Sequence, residues 1–240
     1  MNSALFLLYT CRKHLKKTRA CLETWGQACD HLLVITDEHL PIARPQEVIA
    51  SFGYEKLCEK TLLMWNLIYK KYGHQYAYFV KVDDDTFVDP KKISCFLKKQ
   101  PEGADYLGNT SYWSQIHGKE VTWAAGSMYI ISQRALRHIA NLFPHLAEFS
   151  AKYGSAEDVA VAHLLGEQNI HCQNIHQHLL NVSFKQLSKI NDHTFSVSAL
   201  TPARMVLLYF VWKISKGFKS KAILERLSDV FVFLKILKLS

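Results

Sequence analysis

Three consecutive aspartates, Asp83-Asp84-Asp85, follow directly on the apolar run Tyr78-Phe79-Val80-Lys81-Val82 and precede Thr86-Phe87-Val88. This pattern reads as a buried strand with three carboxylates at its carboxyl end. Adjacent carboxylates repel one another and lose hydration there, a cost that is offset when a cation is held between them. A solvated acidic turn is the alternative, but such a turn needs neither the Tyr-Phe-Val before it nor the Phe-Val after it. Hard divalent ions such as Mn²⁺ or Mg²⁺ take oxygen ligands and bridge carboxylates to diphosphates. The triplet therefore points to a metal–diphosphate ligand, most simply a nucleotide-sugar.

The segments around the triplet alternate between strand and helix patterns. Leu5 to Thr10 and His31 to Asp37 read as strands, as does Tyr76 to Val82. Lys16 to Trp25 and Tyr54 to Tyr72 carry helical spacing, with Gly73 ending the second helix. Pro90 opens a short helix, and Ser132 is placed to cap another over 133–142. The alternation predicts an α/β fold with a mostly parallel central sheet flanked by helices. In such sheets ligands gather at the carboxyl ends of the strands, which is where the triplet lies.

The chain has 240 residues and a formal charge of +8, enough for one α/β domain with an anionic partner. No zinc-finger spacing or RNA-binding signature accompanies the charge, so nucleic acid is not expected. The six cysteines form no CxxC pair and are read as buried, reduced thiols. His171, His176 and His178 form a late cluster. If His176 and His178 lie on a strand, they share one face and are candidate metal ligands beside the carboxylates. Packed or surface histidines are the alternative.

These pieces together resemble the fringe and core-1 galactosyltransferase family of β1,3-glycosyltransferases over about residues 5–185. The resemblance is carried by Thr24-Trp25, Ile35-Thr36-Asp37, Lys60-Thr61 and the Phe79 to Val88 aspartate segment. Ala125-Gly126-Ser127-Met128-Tyr129, Glu157-Asp158-Val159 and Ile175-His176-Gln177-His178-Leu179 complete it in order. It implies a GT-A type fold, an inverting mechanism, a UDP-sugar donor, and Mn²⁺ or Mg²⁺. Asp85 would ligate the metal, joined by His178, with His176 the second candidate. Asp84 would reach the sugar or ribose, and Asp83 would support the turn. Asp158 would be the general base, with Glu157 positioning substrate or capping its helix. Thr10 and Asp37 would face the uracil or ribose, Lys60 and Arg19 would offset diphosphate charge, and Gly126 would allow close backbone approach. Trp123 would stack on an acceptor sugar or simply pack. The turn holding Gly126 is poorer in glycine than the family's, which bears on acceptor choice.

Residues 1–200 are expected to form the GT-A glycosyltransferase domain and 201–240 a basic, amphipathic helical tail. The tail suits an interfacial helix on anionic lipid, with a lipid-linked glycan as acceptor. Packing on its own domain or on a second copy in an oligomer is the alternative. Met1 directly before the first strand suggests a cytoplasmic protein peripheral to the membrane, against a Golgi lumenal one whose anchor lies outside this chain. Two further readings remain open: a non-catalytic, chaperone-like relative, and a metal-dependent phosphodiesterase.

Overall fold

The computed structural model describes residues 4–49, 53–110, 112–116, 119–141, 146–181 and 194–217. Seven strands form the main sheet in the order β10-β6-β9-β4-β1-β2-β3. They are β1 Ala4–Tyr9, β2 Leu32–Thr36, β3 Gln46–Val48, β4 Tyr78–Asp83, β6 Tyr106–Gly108, β9 Met128–Ser132 and β10 Gln173–Asn174. All neighbouring pairs are parallel except those of β9, which runs antiparallel to both β4 and β6. The mostly parallel α/β sheet expected from the sequence is the one observed.

Strands buried on both faces must divide their side chains between two cores, and β1 does so with a period of two. Ala4, Phe6 and Leu8 face one core, with α1 Leu15–Glu23 and α3 Pro90–Leu97. Leu5, Leu7 and Tyr9 face the other, with α2 Leu57–Tyr72, α4 Gln133–Asn141 and α6 Glu157–Gly166. Helix α2 forms because Cys58, Thr61, Leu62, Met64, Trp65 and Ile68 recur at helical spacing, and all are buried. It ends before Gly73, which stays right-handed; a Cβ there would stand 2.5 Å from the Tyr69 carbonyl oxygen. The caps follow their usual chemistry. Asp89 accepts from the Lys91 and Lys92 amides at the start of α3, and Ser132 Oγ accepts from the Ala135 amide. Helix α5, Leu146–Tyr153, and the antiparallel hairpin of β7, Tyr112–Ile116, and β8, Lys119–Trp123, complete this side.

A second sheet joins β11 Leu179–Asn181, β12 Ser196–Ser198 and β5 Phe87–Val88. It holds the segment that follows the aspartates. The Asp89 amide donates to the Phe195 carbonyl at 2.8 Å, and the Leu200 amide donates to the Asp85 carbonyl at 2.8 Å.

Helix α7, Pro202–Gly217, then packs against α1. Met205, Leu208 and Tyr209 are buried in the core, and Trp212 Nε1 donates to Asp89 Oδ2 at 2.8 Å. Over the described part of the tail, packing on its own domain is therefore the arrangement observed. The tail's second apolar run, 230–239, lies outside the described residues. Among the described residues, no helix is long and apolar enough to cross a membrane.

Candidate active site

The parallel register places Tyr9 beside both Ile35 and Asp83. The next residues, Thr10, Thr36-Asp37 and Asp84-Asp85, therefore emerge together at the carboxyl edge of the sheet. This edge is the candidate donor site.

Each aspartate of the triplet has its own surroundings. Asp83 pairs with the fully buried Lys81, Nζ to Oδ1 at 2.7 Å. Burial pushes the Asp83 carboxyl above the ordinary range, against the pull of Lys81. Asp84 is buried: its Oδ2 accepts from Thr10 Oγ1 at 2.7 Å and contacts His14 Nδ1 at 2.9 Å. Lys17 Nζ lies 3.6 Å from Asp84 and 3.8 Å from Asp85. Asp85 is partly exposed, with Thr86 Oγ1 at 3.4 Å as its nearest side-chain hydrogen-bond partner among the described residues. Two of the three carboxylates are thus held by the protein, and the third is left at the mouth of the site.

Thr10 is buried and also shares a hydrogen bond with Thr18 at 2.8 Å. Lys60 Nζ donates to the Thr10 carbonyl at 3.0 Å and lies over the Tyr9 ring. Burial lowers the Lys60 pKa, although Asp37 and Asp84 pull it the other way. Lys60 is thus turned toward the strand ends, not spread on a solvated helix face. Asp37 Oδ1 accepts from the Arg12 amide at 2.6 Å, leaving it at the rim. Arg19 is exposed on α1.

His14 and Lys17 were not singled out from the sequence. Their i, i+3 spacing in the basic run at the start of α1 was the available signal. The strand ending at Tyr9 turns that run over the aspartates.

On the opposite side stands Asp158, in the first turn of α6. Its Oδ2 accepts from the Gly126 amide at 3.1 Å and its Oδ1 from the Val159 amide at 2.9 Å. Gly126 suits this approach: a Cβ there would stand 3.0 Å from Glu157 Oε1 and 3.4 Å from Asp158 Oδ2, so either carboxylate would have to give way by a few tenths of an ångström. Glu157 is buried against Lys81, so it neither caps α6 through its side chain nor reaches solvent. Trp123 is half-buried and packs against the core that holds α2.

The histidines depart from the strand arrangement. His176–His178 form a 3₁₀ turn, and the strand begins only at Leu179, so the alternate-face argument does not hold. The His178 ring stacks on Phe195 with centroids 4.9 Å apart and meets Phe96 edge-on at 5.1 Å. His176 and His171 are exposed. Among the described residues, no three His, Cys, Asp or Glu side chains form a group able to hold a metal. Asp85, His178 and His176 are therefore not drawn into one shell. The oxygen donors at Asp85 instead fit a hard cation bound through one carboxylate and completed by substrate phosphates and water, as is common for Mg²⁺.

Comparison with known proteins agrees with this architecture. The family described as Fringe-like matches residues 2–220, reaching past residue 185 into α7. A solved structure of a glycosyltransferase involved in the glycosylation of the major capsid of PBCV-1 is similar, with a TM-score of 0.56 and 13% identity. That likeness, which is one of fold, covers 86% of this chain and 98% of the other. The chain belongs to the Fringe-like family and has the fold of a glycosyltransferase.

Proposed function

We propose that this glycosyltransferase is metal-dependent and inverting, and that it moves a hexose or N-acetylhexosamine from a UDP-sugar to a glycan hydroxyl. The observation that carries this reading is the division of labour at the strand ends. Asp83 is paired with Lys81 and Asp84 with Thr10 and His14, whereas Asp85, with Lys17 at 3.8 Å, is left partly exposed at the same sheet edge as Thr10 and Asp37.

Asp85 would hold Mn²⁺ or Mg²⁺, which when bound neutralises diphosphate charge and stabilises the leaving group. Lys17 and Lys60 add positive charge to the same edge. Thr10 fixes Asp84, so that the backbone leading to Asp85 keeps its course. Asp37 and the Arg12 amide lie at the rim suited to a ribose or uracil. Asp158, oriented by the Gly126 amide, takes the proton from the acceptor hydroxyl as that oxygen attacks the anomeric carbon. Attack opposite UDP, with one base and no enzyme nucleophile, inverts the anomeric centre. The β1,3 linkage and a glycan or lipid-linked glycan acceptor are carried by the family resemblance.

The test is calorimetric titration of UDP-sugars in Mn²⁺ and then in EDTA, on the wild type and Asp85→Ala. Binding that requires both the metal and Asp85 is the expected result. Binding unaffected by EDTA and by the substitution would overturn the donor site. The product separates transfer from phosphodiester hydrolysis: UDP is expected, and UMP with a sugar phosphate would favour the hydrolase.

A further inference from the structure

Lys81 is the only residue of Tyr78-Phe79-Val80-Lys81-Val82 with a charged side chain, and it is 1% exposed. All three of its protons have partners. Nζ donates to Asp83 Oδ1 at 2.7 Å, to Glu157 Oε1 at 2.8 Å and to the Gly126 carbonyl at 2.5 Å. Glu157 is held in turn by Tyr129, whose hydroxyl donates to Oε2 at 3.0 Å. Gly126 sits between this buried cluster and the Asp158 carboxylate, with its carbonyl on Lys81 and its amide on Asp158. The same turn is tied to the triplet by the Asp83 amide, which donates to the Ser127 carbonyl at 3.0 Å.

We propose that Lys81 and Glu157 are positioning residues for Asp158. They clamp Gly126, and through it the Asp158 carboxylate, at a fixed place relative to the aspartate triplet. The donor side and the acceptor side are thereby built as one rigid body. This inference rests on the reading of Asp158 as the general base.

The physical argument is one of saturation. A buried ammonium with three charged or dipolar acceptors has no spare proton and no water to turn to, so swinging the Gly126 carbonyl away leaves a buried donor unmade. The glycine has little lateral freedom, because the glutamate and aspartate oxygens close its open side. A base displaced by about 1 Å loses on the order of a hundredfold in rate, which makes such a clamp worth building. Glu157 thereby gains a role distinct from that of its neighbour: it faces the interior, and Asp158 faces the site.

The experiment compares Glu157→Gln and Asp158→Asn with the wild type in two readouts. The first, free of activity, is hydrogen exchange at the Gly126 amide against the amides of β1 and β4. Glu157→Gln is expected to speed exchange at Gly126 by about tenfold, the scale of losing one charge-assisted hydrogen bond, with the strands unchanged. The second is UDP release from UDP-galactose or UDP-N-acetylglucosamine in Mn²⁺, with water as acceptor. Here Glu157→Gln is expected to lower kcat by about tenfold at unchanged donor KM, since a displaced base slows chemistry and not donor binding.

Unchanged exchange at Gly126, or unchanged kcat beside an inactive Asp158→Asn, would overturn the inference. An active Asp158→Asn would overturn the assignment of the base instead, and the exchange result would then report the clamp alone. Should Glu157→Gln fail to fold, Tyr129→Phe removes a single bond to the same carboxylate. It is held to the same pattern at smaller amplitude.

Discussion

Replacing Lys81 with methionine tests the buried cluster most directly. Methionine matches the length of the stem and leaves no steric conflict, so the change isolates the ammonium. What remains is the buried Glu157 carboxylate and the partly exposed Asp83 carboxylate, with no cation between them. Removing one partner of a buried ion pair costs about 3–5 kcal/mol, because the charge left behind is uncompensated. Glu157 and the Gly126 carbonyl are buried with Lys81, whereas Asp83 keeps about a third of its side chain in solvent and adds less, so the loss is expected within that range.

For a domain of this size that loss lowers the melting midpoint by roughly 6–20 °C. The pH dependence has a defined sign. Burial alone would lower the Lys81 pKa, but Asp83 and Glu157 outweigh it and raise it above the ordinary lysine range. A raised folded pKa gives stability that is fully present below the unfolded value of about 10.4 and is lost only as pH rises through the folded value. In urea melts wild type should therefore lose none of the Lys81 contribution between about pH 7 and about pH 9, whereas in Lys81→Met the buried Glu157 carboxyl, raised by burial and deprived of its cation, must ionise over that span, so the gap is expected to widen with pH. The triple variant Lys81→Met, Asp83→Asn, Glu157→Gln removes every charge and should recover part of the loss. A Lys81→Met protein within about 1 kcal/mol of wild type would refute the reasoning, since no buried pair would then have been broken.

Lys60→Met should separate stability from binding. Its folded pKa lies below the unfolded one, so burying its charge is a cost at neutral pH that is relieved only as pH rises toward the ordinary lysine value. The melting midpoint is expected to hold, while UDP affinity in Mn²⁺ falls by about tenfold on losing one cation from the diphosphate edge; a large drop in midpoint with intact affinity would contradict this. Trp212→Phe keeps an aromatic ring, though a smaller one, and loses the bond to Asp89, and urea denaturation should register about 1–2 kcal/mol. Alkylation at mildly alkaline pH followed by peptide mass mapping should label the exposed Cys95 first. Burial raises Cys29 and Cys58 to about 12 and Cys21 well above its usual value, so these three should react only in denaturant.

The central strands were legible because each is a continuous apolar run, and runs buried on both faces leave little choice of state. The triplet's place followed from the same runs, since the strand before it had to end where the charges began. Helix α2 was legible from its period and α4 from its serine cap. What could not be read was the direction of individual charged side chains. Lys81 is one charge inside an apolar strand, and only its packing against the turn at Gly126 and the start of α6 shows that it has three acceptors. Lys60 lies on a helix whose apolar period ignores it, yet its stem reaches back to Thr10. The expected shared face of the histidine pair is absent for a local reason. A 3₁₀ turn and an alternating strand can share the same spacing, and a ring stacked on Phe195 depends on a residue far along the chain. The packing of α7 was likewise hidden, because an apolar helix with basic neighbours satisfies a lipid surface and a protein groove alike.

The loop behind the aspartates is fastened by residues that come last among those described. Phe195 accepts from Asp89, Leu200 donates to Asp85, β12 pairs with β5, and Trp212 bonds Asp89. During synthesis the triplet leaves the ribosome long before these partners exist. The loop that follows the aspartates is therefore made early and fastened late, by β12 and α7. Losing this segment would leave Asp83 and Asp84 with their partners earlier in the chain, while the loop from Asp85 to Asp89 would lose its ties to Phe195, Leu200 and Trp212.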